Sequence, residues 1–431
     1  MSKEENRKNF SKYVSQNILG MIGFSCYVLA DSYFISIAKG ADGLTALNLV
    51  MPLYSIIFSI GEMIGVGSAI RYAISKIKKD ADADDYFWNA LIWCILSSML
   101  FVFAGIFFSA DIMRVLGADE HIVAVGNNYT KIFMCFAPMF MCNYVTNAFV
   151  RNDGAPGIAM SATLFSSLFN IVFDYILMFP MNLGMEGAAL ATVLSPIIGM
   201  GICSIHFFSK KSSVRLVVCK PSVRKLVAGC QLGVSAFVGE MSSAVITLAF
   251  NFVILKLAGN VGVAAYGVVA NIAIVTTAVF NGVAQGSQPL ISSCFGRGDK
   301  DGCTQLKRMG YTTAFVLAAV MYSILFIFAG QFVAVFNSEG SEMLRLYATE
   351  GVKLYFIGIF FAGINIVGGG AFSATEDAFK AAVVSVARGF VLILGAVFVM
   401  SAFFGMTGVW LAYAVAEGIT TFIMLVMAMR V

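Results

Sequence analysis

Twelve mostly apolar stretches of 20 to 30 residues, parted by short charged runs, leave this chain one choice of solvent. Each is long enough to cross ~30 Å of hydrocarbon as a helix. No water-soluble fold needs a dozen of them. Composition agrees: 59% of the residues are hydrophobic and 12% charged, against roughly 45–50% and about 25% in soluble domains. Mean hydropathy is +0.86. The spacing predicts spans at about 13–38, 44–70, 87–108, 129–150, 157–180, 185–208, 226–256, 262–292, 311–336, 350–373, 380–404 and 407–429. Tight links near Lys39–Gly43, Asn182–Gly184 and Gly405–Met406 suit hairpins between antiparallel neighbours.

The basic residues orient the array. With the N-terminus placed in the cytoplasm, inside segments carry 21 Lys and Arg, among them Arg151, six in 209–225, Lys380 and Arg430. The outside loops carry four: Lys39, Arg114, Lys256 and Arg345. Positive charge stays on the cytoplasmic side during insertion, so both termini are expected there, in a plasma membrane. The polar tail of residues 1–12 runs into a span of about 25 residues without a small-residue cleavage site, and reads as a retained first span.

The chain also repeats itself. The run "GADGLTALNLVMPLYSIIFSIGEMIGVGSA" from Gly40 returns 219 positions later as "GNVGVAAYGVVANIAIVTTAVFNGVAQGSQ". Gly40/Gly259, Gly43/Gly262, Ala46/Ala265, Gly67/Gly286 and Ser68/Ser287 coincide without a gap. Farther on, "GMEGAALATVLS" from Gly184 matches "GMTGVWLAYAVA" from Gly405, an offset of 221. Two separated blocks at nearly one offset point to a duplicated unit. The fold class expected is an all-α polytopic membrane protein, with twelve transmembrane helices in two pseudo-symmetric six-helix lobes. The lobes are 1–208 and 226–431, joined by a basic linker at 209–225 that contains Pro221. Six crossings return each lobe to its starting side, so a binding cavity is expected near mid-membrane and alternating access by rocking lobes follows.

Ionisable groups inside spans are functional hypotheses, because stranding one in hydrocarbon costs ~2.5–3.5 kcal/mol or more. The candidates are Asp31, Glu62, Asp174, Glu240, Arg388 and Glu417. Asp31, in "VLADSYFISIA", either lines a polar cavity or snorkels to the interface. Asn170 and Asp174, at i and i+4 in "NIVFDYIL", put both side chains on one helical face, half a site for a hard cation or a hydrated proton. Two carboxylates sharing a low-dielectric chamber do not both stay ionised, so a proton or cation enters with them. Glu240, beside Ser242 and Ser243, either meets an ion or cationic cargo or pairs with Arg388. Arg388 otherwise snorkels, and Glu62 and Glu417 are open between functional and structural roles.

Other chemistry finds little support. The nine cysteines (Cys26, Cys94, Cys135, Cys142, Cys203, Cys219, Cys230, Cys294, Cys303) form no Cys-x-x-Cys pair, and His121 and His206 are the two histidines. That argues against a disulfide framework or a zinc site. "DADADDYF" (Asp80, Asp82, Asp84, Asp85) lacks calcium-loop spacing and reads as a solvated loop. No phosphate-binding loop marks a primary pump, and the basic tracts are loop charges rather than a nucleic-acid surface. An integral-membrane transferase would show paired aspartates or histidines at a membrane face. A flippase for lipid-linked sugars would need a basic cavity, whereas the embedded charges are mostly acidic. The expected partners are small-molecule cargo and membrane lipid, with the chain acting as a monomer and needing no cofactor.

Several stretches carry a family resemblance: "GVAQGSQPLISSCFGRGDKDG" (282–302), "RNDGAPGIAM" (151–160), "NIVFDYILMFPMNLGMEGAALATVLS" (170–195) and "ADSYFISIAKGADGLTALN" (30–48). Together they resemble the multidrug and toxic compound extrusion (MATE) family, nearest its bacterial multidrug and DinF-like branches. The resemblance implies a two-lobed exporter, not an enzyme, that exchanges H⁺ or Na⁺ for amphipathic, often cationic, compounds. It assigns Asp31, Asn170, Asp174 and Thr192 to an amino-terminal coupling site for H⁺ or Na⁺, with no metal expected beyond Na⁺. Glu240, Glu62 and Arg388 are left as candidates for cargo or a second ion. Three features depart from the pattern. "VSQNILG" lacks the proline common near the start of the first span, which removes the basis for a proline-linked bend there. "VLA" replaces the usual polar residue before the first acid. Span ten ("LYFIGIFFAGINIVGGGAF") has no carboxylate, which places ion coupling in the first lobe.

Overall fold

A computed structural model describes residues 3–336 and 341–429, and every regular element among them is helical. Arg430, counted above among the inside charges, lies outside the described residues. The helices are α1 (Lys3–Gly40), α2 (Asp42–Lys78), α3 (Asp85–Val115), α4 (Glu120–Cys135 with Ala137–Asn152), α5 (Pro156–Met178) and α6 (Gly184–Phe207). Then come α7 and α8 within Val223–Gly296, α9 (Lys300–Ile327), α10 (Glu342–Ala374), and α11 and α12 within Ala378–Met427. Split at Gly259 and Gly405, these make twelve candidate spans among the described residues. The α4 segments bend by 46° where Pro138 opens the second of them, as a residue lacking an N–H does. Helices outrun the expected spans at several ends: α1 begins at Lys3 and α9 at Lys300. Hydropathy marks the hydrocarbon slab, whereas a helix continues into water as long as its hydrogen bonds do.

The internal repeat reappears in backbone geometry. A 74-residue helix would be about 110 Å long, far more than a bilayer, and Gly259 breaks this one into α7 and α8. Gly259 has φ 61° and ψ −157°; Gly40, 219 positions earlier, has φ 59° and ψ −143° between α1 and α2. Gly184 and Gly405 turn at φ 52° and 56°. A side chain is essentially excluded from such conformations. The glycines aligned in the sequence are therefore the hairpin turns of two equivalent units.

Buried apolar side chains form two large cores, one spanning Ile35 to Leu232 and the other dominated by Phe250 to Ala416. The exceptions are instructive. Phe10 and Val14, from the start of α1, pack into the second core, and Leu232, from the start of α7, packs into the first. The lobes cross there. A Cβ on Gly67 would strike Gly229 and Gly233 of α7, and one on Gly286 would stand 2.7 Å from the Val14 Cα of α1. Gly67 and Gly286 are repeat partners, as are Val14 and Gly233, 219 positions apart. At the same end Arg71 pairs with Glu376, and Lys78 Nζ lies 3.4 Å from the other Glu376 oxygen. The connector 209–222 has no regular structure and lies along the first lobe. Ser212, Ser213 and His206 all donate to the buried Asp153 carboxylate, and Ser222 N donates to Asn89 Oδ1 at 2.7 Å.

Candidate functional site

Within the first lobe, α1 carries Asp31, α5 carries Asn170 and Asp174, and α6 carries Thr192. All are buried, with Asp31 6% exposed and both α5 residues at 0%. Asn170 Nδ2 lies 3.4 Å from Thr192 Oγ1, a long hydrogen bond that fixes the amide. Asn170 and Asp174 stand one turn apart on one face of α5. Asn170 Oδ1, both Asp174 oxygens and Asp31 Oδ1 have no hydrogen-bond partner. Phe34 of α1, one turn beyond Asp31, packs on Tyr175 of α5 and on Phe179 just past its end, with ring centroids 6.2 and 6.1 Å apart, so the two helices lie side by side at this level. Buried carboxylate oxygens without donors are rare and costly. Among the described residues no group of three or more His, Cys, Asp and Glu is arranged to hold a metal. The donors here are two carboxylates, an amide oxygen and a hydroxyl, all hard oxygen ligands suited to Na⁺ or a hydrated proton.

Between the lobes lies a cavity in two connected parts. Glu62, Val66, Glu240, Asn281 and Gln285 line both. The part toward the first lobe is open to solvent, with about 1100 Å³ of empty space counted through its mouth. Its wall is aromatic: Phe24, Tyr27, Phe58, Phe140 and Tyr144. Phe58 belongs to a run of rings, with centroids 5.3 Å from Phe140, 5.6 Å from Tyr54 and 5.8 Å from Tyr144. Tyr54 lies on Phe133 and shares a hydrogen bond with Tyr129. The part toward the second lobe is polar, lined by Ser243, Thr277, Gln288, Asn365, Ser385 and Arg388.

Arg388 does not meet Glu240. It sits on a π-helical turn, Ala387–Val391, and pairs with Glu417 of α12. Its Nη2 and Nε donate to Glu417 Oε1 at 2.6 and 3.0 Å, while Asn365 Nδ2 of α10 donates to Oε2 at 2.7 Å. Thr421 donates to Asn365 Oδ1 at 3.0 Å and completes the network. Sequence reasoning offered Glu240 as a partner for Arg388, did not pair it with Glu417, and missed two cavity residues, Arg151 and Gln285. Arg151 had entered only as a topological charge. Gln285 is neutral and so escaped a search for charges, although an amide in the middle of an apolar span is itself a signal.

Twelve candidate spans, two lobes related by a repeat and a cavity at their junction are the architecture of a polytopic membrane transporter. A sequence profile described as MatE matches residues 17–176 and 236–399, and the chain belongs to that family. "Multidrug export protein MepA" of Staphylococcus aureus (strain MRSA252) is 27% identical over 415 residues, covering 93% of this chain and 89% of that protein. Its namesake from Staphylococcus saprophyticus is 25% identical over 409 residues, covering 93% of this chain and 89% of that protein. A solved MOP superfamily transporter from Pyrococcus furiosus, described as having a binding pocket of reverse polarity, superposes with a TM-score of 0.91 at 20% identity. It covers 99% of this chain and 96% of its own. An outward-facing multidrug resistance MATE family transporter gives 0.89 at 20% identity, again over 99% and 96%. At that identity these likenesses establish the fold.

Proposed function

We propose that this chain is an antiporter that spends an inward H⁺ or Na⁺ gradient to export amphipathic, cationic small molecules by alternating access. The observation that carries the reading is the buried quartet of oxygens on Asp31, Asn170 and Asp174 that no donor serves. A monovalent cation or proton entering there gains ~2.3 kcal/mol per 100 mV of membrane potential. Its arrival neutralises charge that otherwise resists closure of the lobe around it. The cargo class is supported by the aromatic wall beside Glu62 and Glu240, where cation–π attraction and carboxylates favour positive charge. The relatives named as multidrug exporters point the same way. An anionic lipid-linked cargo would find its basic groups already engaged, Arg388 by Glu417 and Arg151 by Gln285.

In this reading the lobes are 1–208 and 226–431 with the linker between them, and the chain works as a monomer in the plasma membrane. The end where the lobes meet is cytoplasmic, in keeping with the 21-to-4 bias of basic residues. The conformation described is then open to the outside. The test is flux of a fluorescent cation in proteoliposomes under separately imposed pH and Na⁺ gradients. Asp31→Asn and Asp174→Asn are each expected to abolish gradient-driven flux while folding survives. Normal flux in both would move the coupling site, Glu240 first.

A further inference from the structure

The cavity floor holds a contact that ties one lobe to the other. Glu62 of α2 lines both parts of the cavity, and its Oε1 accepts a hydrogen bond from Gln285 Nε2 of α8 at 3.3 Å. The other end of that amide, Gln285 Oε1, accepts from Arg151 Nη1 of α4 at 2.7 Å. Arg151 belongs to the first lobe and is 5% exposed; its Nη1 also lies 3.5 Å from the Asn17 and Asn147 side-chain oxygens. An amide of the second lobe is thus clamped between a carboxylate and a guanidinium of the first. Charge fixes its orientation: the NH₂ end must face the acceptor-only carboxylate and the oxygen the donor-only guanidinium.

The position of Gln285 makes this clamp matter. Gly282 and Gly286 flank it on α8, and a Cβ at either would run into the α1 backbone, at Ile18 or at Val14. The amide therefore sits where the lobes are pressed together. Any opening of that end must pull Gln285 away from Glu62, from Arg151, or from both.

We propose that Gln285 is a cargo-sensitive latch: in the outward-open state its amide competes with cationic cargo for Glu62, and cargo that wins the carboxylate loosens the closed end. The inference rests on Glu62 being a cargo ligand, as in the reading above. A cation on Glu62 takes the acceptor from Nε2 and sets a like charge facing Arg151, so both ends of the clamp weaken together. The competition exists only while the lobes meet. When that end opens, Gln285 leaves with its own lobe and Glu62 is free to bind. Cargo is accordingly held more tightly from the cytoplasm than from the outside, the difference an exporter needs. By linkage, the same coupling that expels cargo lets cargo destabilise closure.

The test uses the full chain in lipid nanodiscs, with ethidium as the probe cation and hydrogen–deuterium exchange as the readout. Ethidium is expected to raise amide exchange in residues 63–78 and 282–298 by roughly threefold. In Gln285→Leu those segments should exchange fast without ethidium and not respond to it, while ethidium binds roughly three- to tenfold tighter. Arg151→Gln keeps the amide but removes its second anchor; it is expected to act the same way, and it carries the test if Gln285→Leu does not fold. Glu62→Gln should weaken ethidium binding by about tenfold and abolish its effect on exchange. If ethidium binds but the Gln285 and Arg151 variants exchange and respond like the parent chain, the latch is wrong and the cargo reading stands. If Glu62→Gln leaves ethidium affinity unchanged, the cargo role of Glu62 fails and the latch falls with it.

Discussion

The two lobes share a backbone plan and oppose each other in their polar interiors. Position 250, the repeat partner of Asp31, is Phe250, stacked 5.1 Å from Tyr266. Position 413, the partner of Thr192, is Tyr413, stacked 4.3 Å from Tyr355. Where the first lobe keeps carboxylates without donors, the second lobe has filled the space with rings. Its own buried acid, Glu417, is saturated by Arg388 and Asn365. Both lobes bury negative charge, but the second carries its counter-charge on a side chain that cannot leave. Among the described residues, buried carboxylate oxygens without a partner are found in the first lobe, on Asp31 and Asp174. Duplication supplied two equivalent frames, and their buried polar side chains have diverged.

That contrast breaks first at Arg388. Removing one member of a buried pair strands the other, at a cost of ~3–5 kcal/mol, so Arg388→Gln should sharply lower the unfolding temperature in detergent. Arg388→Met with Glu417→Leu removes both charges and should recover most of that loss. If the single change proves harmless, the second lobe is not a closed ion pair. The next largest effect is functional. Asp31→Asn or Asp174→Asn should cut gradient-driven flux by on the order of 100-fold, about 2.7 kcal/mol of barrier, with no loss of thermal stability. The Met/Leu double variant should keep the same ion dependence as the parent. A change in which gradient drives it would put a coupling site in both lobes.

Much of this organisation is legible in the chain itself, because burial in a bilayer writes directly into composition. Gly40, Gly259, Gly184 and Gly405 announced themselves by spacing, and each takes a positive φ at its turn. Asp31 and Asp174 stood out because charge in an apolar run is conspicuous. What the sequence hid were partnerships. The sequence offered Glu240 as the partner of Arg388, and only the approach of α10, α11 and α12 around a π-helical turn brings Glu417 to it instead. Gln285 carries no charge, and its meaning depends on two residues 223 and 134 positions away. Pair identity is a property of helix packing, and one sequence holds no trace of it.

The closed end extends the comparison to smaller energies. Gly67 and Gly286 occupy equivalent crossings, α2 on α7 and α8 on α1. Gly67→Ala and Gly286→Ala should therefore each oppose closure by a similar ~1–3 kcal/mol, read as raised exchange at that end in the absence of cargo. Unequal effects would mean that the pseudo-symmetry of the crossings is geometric but not energetic. Glu376 is the smallest case and the one with no counterpart. It pairs with Arg71 and Lys78 across the lobes, from a position at φ 58° between α10 and α11. The positions 219 and 221 earlier are Gly157 and Ala155, which carry no charge. All three side chains are partly exposed, at 22–45%, so solvent and salt screen the pair and about 1 kcal/mol or less is at stake. Glu376→Gln should raise exchange of residues 71–78 slightly at low ionic strength and not at all in high salt. An effect that persists in salt would make this ion pair, rather than the glycine crossings, the main tie between the lobes.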